Sequence, residues 1–110
     1  MADNARVVII ETPLFTRQIT ALVADADYAS FQIDLVRNPE VGDLLKGGGG
    51  IRKVRLRLPG RGKSGGGRVI YYWAKDAARI YMLVAYAKNV STDLTPSQIS
   101  VLKDLVKELD

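Results

Sequence analysis

The chain has no cysteine and no histidine among its 110 residues. The first absence excludes disulfides and thiolate chemistry; the second removes the commonest general base and the commonest metal ligand together. A zinc site would have to be built from carboxylates alone, and the Asp and Glu residues follow no metal-ligand spacing. Any catalysis is therefore expected to rest on Lys, Arg, Tyr, Asp or Glu, with no cofactor and no metal. Long apolar runs are missing as well. Nothing approaches the roughly 20 residues of a membrane-spanning helix, and the opening MADNARVVII has an early acid and too short an apolar run for a secretory leader. The expectation is a cytoplasmic protein with no membrane partner. An apolar content of 47% suffices for one modest core in a single domain, residues 1–110.

Acids are scarce where bases are dense. Residues 51–88 carry ten Lys or Arg against one acid, Asp76, whereas residues 1–50 carry four against seven and residues 89–110 two against four. The net charge of +4 thus hides a strongly positive centre between mildly acidic ends, the footprint of a polyanion-binding surface.

Val7 to Ile10 is a continuous β-branched run closed by Thr12-Pro13, which predicts a strand buried on both faces. Phe15, Ile19, Leu22 and Val23 recur at helical spacing after Pro13. Beyond a break at Asp25-Ala26-Asp27, Tyr28, Phe31, Leu35 and Val36 line a second helix that Asn38-Pro39 ends, giving a helical hairpin packed across a sheet. The glycines 47–50 mark a junction where the backbone bends or approaches something closely. From Ile51 to Leu58, Val54, Leu56 and Leu58 alternate with Lys53, Arg55 and Arg57, a strand with one apolar and one cationic face. Residues 59–67 read as a basic loop, Arg68–Trp73 and Arg79–Tyr86 as strands joined at Lys75-Asp76, the whole a three-stranded meander. Thr95, Pro96 and Gln98 form a capping box ahead of a helix to Leu109 whose apolar face is Ile99, Leu102, Val106 and Leu109. The predicted fold is α+β, in the order β-α-α-β-β-β-α, with a largely antiparallel sheet.

The cationic strand is the strongest candidate site. Alternate strand residues lie about 6.6 Å apart on one face, close to the phosphate repeat of an extended single strand, so Lys53, Arg55 and Arg57 can each address one phosphate. Arg68 opens the next strand and can join them, Arg61 and Lys63 reach over from the loop, and Lys88 follows at the end of the last strand. A row of bases on a sheet is often only a solvated surface, but solvated faces mix signs and this one has no balancing acids. Gly62-Lys63-Ser64 is no P-loop: Arg57 stands where that motif needs glycine, and a strand follows where it needs a helix. Tyr71, Tyr72, Trp73 and Tyr81 are expected in the core, and Tyr86, beside Lys88, is expected exposed as a base-stacking surface.

Three stretches carry a resemblance: residues 47–56 (GGGGIRKVRL), residues 62–72 (GKSGGGRVIYY) and Tyr86-Ala87-Lys88-Asn89. Together they resemble the RelE/HigB-type toxins of bacterial type II toxin–antitoxin systems, over nearly the whole chain. The resemblance implies a ribosome-dependent endoribonuclease that cleaves mRNA and is neutralised by a cognate antitoxin, with oligomers formed only through that complex. It implies that Lys53, Arg55, Arg68 and Lys88 surround the scissile phosphate. Many members also use a tyrosine near the C-terminus, and this sequence, with no aromatic after Tyr86, leaves that role open or passes it to Tyr86. Such chemistry suits a protein without histidine, because RNA supplies its own 2′-hydroxyl nucleophile and the product is a 2′,3′-cyclic phosphate. Two other classes compete: an RNA- or ribosome-binding module without chemistry, and an interaction domain whose basic face docks an acidic protein segment.

Overall fold

Thr12 and Pro13 turn the opening strand into a helix, and the cause is local. In the computed structural model of the chain, which describes residues 6–58, 66–88 and 94–109, β1 (Val8–Glu11) gives way to α1 (Pro13–Leu22) with proline in the first turn, where its missing N–H is no loss. The Thr12 hydroxyl accepts from the Phe15 amide at 3.0 Å, a cap that contributes about 1 kcal/mol. α2 (Asp25–Arg37) has Asp25 and Asp27 in its first turn and Arg37 in its last, each complementing the helix dipole. The expected break at Asp25–Asp27 is therefore the helix start itself; the connection to α1 is only Val23 and Ala24.

The remaining strands are β2 (Asp43–Leu44), β3 (Ile51–Leu56), β4 (Gly67–Ala74) and β5 (Arg79–Ala87), and the closing helix is α3 (Pro96–Leu109). The sheet order is β1-β5-β4-β3-β2, antiparallel except that β1 runs parallel to β5. The expected α+β order holds, with the two-residue β2 added. The capping box forms: the Gln98 amide donates to Thr95 Oγ1 at 3.1 Å and the Thr95 amide to Gln98 Oε1 at 2.9 Å. The glycine run connects β2 to β3 through positive φ angles of 75° at Gly47, 68° at Gly49 and 107° at Gly50. A Cβ at Gly49 would press on Lys103 and one at Gly50 on Tyr72, so glycine here both permits the turn and lets α3 lie close.

Each face of the sheet buries its own core. α1 and α2 set Phe15, Ile19 and Leu35 against Leu56, Val69, Tyr71, Ile80 and Met82. α3 sets Ile99, Leu102, Leu105, Val106 and Leu109 against Ile51, Ile70, Ala74, Tyr81 and Leu83. The opening strand departs from expectation: Val8 is 50% and Ile10 37% exposed, because β1 is the sheet edge and only Val7 and Ile9 join the first core. A continuous apolar run does not distinguish an edge strand from a central one. No described helix is long and apolar enough to cross a membrane.

Candidate nucleic-acid interface

Alternation along β3 divides its side chains between the two cores. Val54 and Leu56 pack with the α1 and α2 layer, while Ile51 packs under α3, so Lys53 and Arg55 share the α3 side of the sheet. Register then extends this face across the strands. Lys53 pairs with Ile70 and Arg55 with Arg68, and Arg68 pairs with Tyr86. The Lys88 amide donates to the Gly66 carbonyl at 2.9 Å, which carries the ladder one step past β5 and puts Lys88 on the side of Tyr86. Arg57 continues the alternation beyond β3. The structure thus brings Lys53, Arg55, Arg57, Arg68, Tyr86 and Lys88 to one end of one face, next to the part that α3 covers. Arg61 and Lys63 lie outside the described residues.

Arg55 and Arg57 are exposed, and Lys53, Arg68 and Lys88 are half-buried. Arg68 Nη1 donates to the Gly67 carbonyl at 2.8 Å, which anchors one edge of the guanidinium while its remaining donors point away from that bond. Among the described residues, no ion pair is formed by Arg55, Arg57, Arg68 or Lys88. Like charges directly opposite on a ladder destabilise it by about 0.2–1 kcal/mol. The Arg55–Arg68 pair is therefore a cost to the fold that an anion bound between them would remove.

The sequence reading missed an acidic border. Asp27, Ser30, Phe31 and Asp34 of α2 line a groove of about 380 Å³ with Arg55, Leu56 and Arg57. It lies along the open edge of β3, where β2 has paired only Lys53 and Arg52. The signal was available, since Asp27, Ser30 and Asp34 recur at helical spacing and so share a face of α2. A polyanion laid along the β3 edge would be repelled by these carboxylates, whereas one laid across β4 and β5 would not meet them.

The aromatic expectations divide. Tyr71 and Tyr81 are buried as expected, and Tyr72 stacks on Tyr81 with ring centroids 6.4 Å apart. Tyr86 does not stand free: it is half-buried against the α3 core and its hydroxyl is buried. The cause is its place opposite Arg68 rather than at the strand tip. Tyr71 has a structural task. Its hydroxyl accepts from the Gly42 amide at 2.9 Å and donates to the Pro39 carbonyl at 2.7 Å, fixing the turn ahead of β2; burial pushes its pKa up. A Cβ on Gly42 would meet that hydroxyl at 2.9 Å, so the turn and the tyrosine fit only each other.

Among the described residues no group of three Asp or Glu side chains gathers where it could hold a metal ion. What the face offers is fixed cations and guanidinium donors, the chemistry that binds phosphodiester oxygens and stabilises charge developing on them. A family model described as the RelE toxin of the RelE/RelB toxin-antitoxin system matches residues 33–110. Among solved structures the chain is similar to the isolated E. coli RelE toxin, with TM-score 0.56 and 13% identity, over 94% of this chain and 99% of that one. It is also similar to a chain of the intact E. coli RelBE toxin-antitoxin complex, with TM-score 0.56 and 12% identity, over 72% and 93%. A double mutant of E. coli RelE in complex with an antitoxin RelBc peptide gives TM-score 0.55 and 12% identity, over 80% and 93%.

Proposed function

This chain belongs to the RelE toxin family of the RelE/RelB toxin-antitoxin system, and from that premise we propose that it is an mRNA endoribonuclease acting on the translating ribosome and held in check by a cognate antitoxin. The observation that carries the reading is the Arg55–Arg68 pair, two cations held directly opposite with no ion-pair partner among the described residues, flanked by Lys53 and Lys88. In the proposed reaction the 2′-oxygen of the substrate attacks the adjacent phosphorus. The P–O5′ bond breaks, leaving a 2′,3′-cyclic phosphate and a 5′-hydroxyl. Arg55 and Arg68, always charged, clamp the non-bridging oxygens and stabilise the charge that builds on them. Lysine, unlike arginine, can take up and release a proton, so Lys53 and Lys88 are the groups assigned to the 2′-hydroxyl and the leaving oxygen. Arg57, with Arg61 and Lys63, binds flanking phosphates.

The antitoxin is assigned to the cationic face or to the ground of α3, which it would displace. Supporting this, E. coli RelE has been solved with an antitoxin peptide, and α3 here is held by one apolar stripe. The test is to map mRNA 5′ ends in a reconstituted translation system with the purified chain, with and without EDTA. Codon-phased cuts with cyclic phosphate ends that survive EDTA are expected, and are lost in Arg55→Ala and Arg68→Ala. Ribosome binding without new RNA ends would sink the nuclease reading in favour of a binding module.

A further inference from the structure

β5 contains one residue more than its neighbour. Tyr71 pairs with Met82 but Ile70 with Val84, so Leu83 is an added residue and the register shifts there. Because strand side chains alternate with period two, a single extra residue reverses the facing of everything beyond it. Tyr81 lies on the α3 side. Strict alternation from it would turn residues 84, 86 and 88 toward α1 and α2, and Ala85 and Ala87 toward α3. The structure has the opposite: Ala85 and Ala87 pack with the α1 and α2 core, and Val84 and Tyr86 with the α3 core. The bulge is thus what delivers Lys88 to the face of Arg55 and Arg68.

A bulge on this strand needs support, because β1 ends beside it. The last pairing of β1 is Glu11 with Met82, followed by the Thr12 amide donating to the Met82 carbonyl at 3.0 Å. Beyond that point α1 supplies side chains in place of a strand. The Thr12 hydroxyl donates to the Leu83 carbonyl at 2.9 Å, and Gln18 Oε1 accepts from the Ala85 amide at 2.8 Å. Leu83 and Ala85 are 2% and 1% exposed, so neither backbone group has water to turn to.

Resting on the nuclease reading of that face, we infer that Gln18, with Thr12, is a positioning residue: it holds the β5 bulge in place and through it keeps Lys88 beside the scissile phosphate. Thr12 also caps α1, so Gln18 gives the cleaner test. Gln18→Leu keeps the size and removes the acceptor, whereas Gln18→Glu keeps an acceptor oxygen. Each is made with and without Lys88→Ala, and single-turnover cleavage on ribosomes is measured beside amide exchange and NOEs in the free protein.

Gln18→Leu is expected to slow cleavage about ten- to hundredfold, the effect of misplacing a reacting group by about an ångström, with little change in RNA affinity. Gln18→Glu is expected to stay within about threefold of the parent, and Gln18→Leu to add less than about twofold once Lys88 is alanine, as coupled positions do. Faster exchange at Ala85 with the Ile9–Ile80 pairing intact accompanies it. A full Gln18→Leu defect persisting in the Lys88→Ala background overturns the inference, as does unchanged cleavage. If the parent chain proves not to cleave RNA, the nuclease reading falls by itself. The positioning claim is then decided by the Tyr86–Arg68 NOEs, whose survival in Gln18→Leu overturns it.

Discussion

Replacing Arg55 by Gln should make the protein more stable and nearly inactive at once. Arg55 is exposed, makes no hydrogen bond among the described residues, and faces Arg68 across the ladder. Arg68 is about 5 Å away across the strands and Lys53 and Arg57 are about 6.6 Å away along β3. Two like charges at such separations in water repel by about 0.7 kcal/mol, and at 0.15 M salt by roughly half that. Flexible side chains splay apart and Asp27 and Asp34 across the groove offset part of the repulsion, so the net relief on removing Arg55 is at most about 0.5 kcal/mol, a rise of no more than roughly 2–4 °C in Tm. Losing one charge-stabilising donor from the reacting phosphate costs cleavage about 10²–10³-fold, and the slope of log affinity for RNA against log salt falls by about one. Urea denaturation at low and at 0.5 M salt, where the stability gain should vanish, is paired with single-turnover cleavage. If Arg55→Gln destabilises the fold, the cationic pair is not strained; if it leaves cleavage intact, the pair is not catalytic; either result refutes the reasoning.

Tyr71→Phe removes both bonds of a buried hydroxyl and orphans the Gly42 amide, for a loss of about 2 kcal/mol read from the denaturant midpoint; an unchanged midpoint would mean that water replaces the hydroxyl. Stability should also decline in alkali. The Tyr28 hydroxyl donates to Glu11 Oε2 at 2.5 Å, and burial first, then Glu11, raises its pKa well above the ordinary tyrosine value, as burial does for Tyr71. An unfolded chain releases these protons near pH 10, so the folded form binds them more tightly. Their contribution is complete below about pH 10 and is lost as pH rises above it. Urea midpoints between pH 7 and 11 should show this, with a shallower fall in Tyr28→Phe; a flat profile contradicts it. Finally, Asp27→Asn with Asp34→Asn clears the acidic border beside Arg55 and Arg57 and should tighten RNA binding by about two- to fivefold at low salt, fading as salt rises. No change would place the RNA path away from that groove.

Those features that are local chemistry were legible in the sequence. The Thr95–Gln98 box, the proline start of α1 and the two faces of β3 each follow from residues within a few positions of one another, and each stands as expected. What failed depends on distant partners. Val8 and Ile10 look like core residues until β1 is known to be an edge. β2 is two residues long, too short for any period to show. Tyr86 looks exposed from its place beside Lys88 near the strand end, and nothing near it announces the core it packs against or that β5 gains a residue at Leu83; the groups that stabilise the bulge, Thr12 and Gln18, are some seventy residues earlier. Lys53, Arg55, Arg57, Arg68 and Lys88 nevertheless come to one face, because charge density along the chain is visible without knowing how β5 faces.

The α3 side of the sheet changes character along its length, and the change explains why this site is expensive to the fold. At one end Ile51, Tyr72 and Tyr81 lie under α3; at the other Arg55, Arg68 and Lys88 do not. Lys53, Ile70 and Val84 form the row between. Apolar residues at 53, 55 and 68 would let the covered core run on and would stabilise the chain, each buried side chain by about 1.5–3 kcal/mol. On β3 and β4 the sequence instead stops the core at Ile51 and Ile70, with Tyr86 of β5 alone carrying it one row further, and sets like charges against one another beyond. A helix held by one stripe beside such a row is coupled to it: displacing α3 uncovers Ile51 and Tyr72 and alters the surroundings of Lys53 together. A partner that took the place of α3, as proposed for the antitoxin, would therefore act on the cationic end without having to touch Arg55 or Arg68.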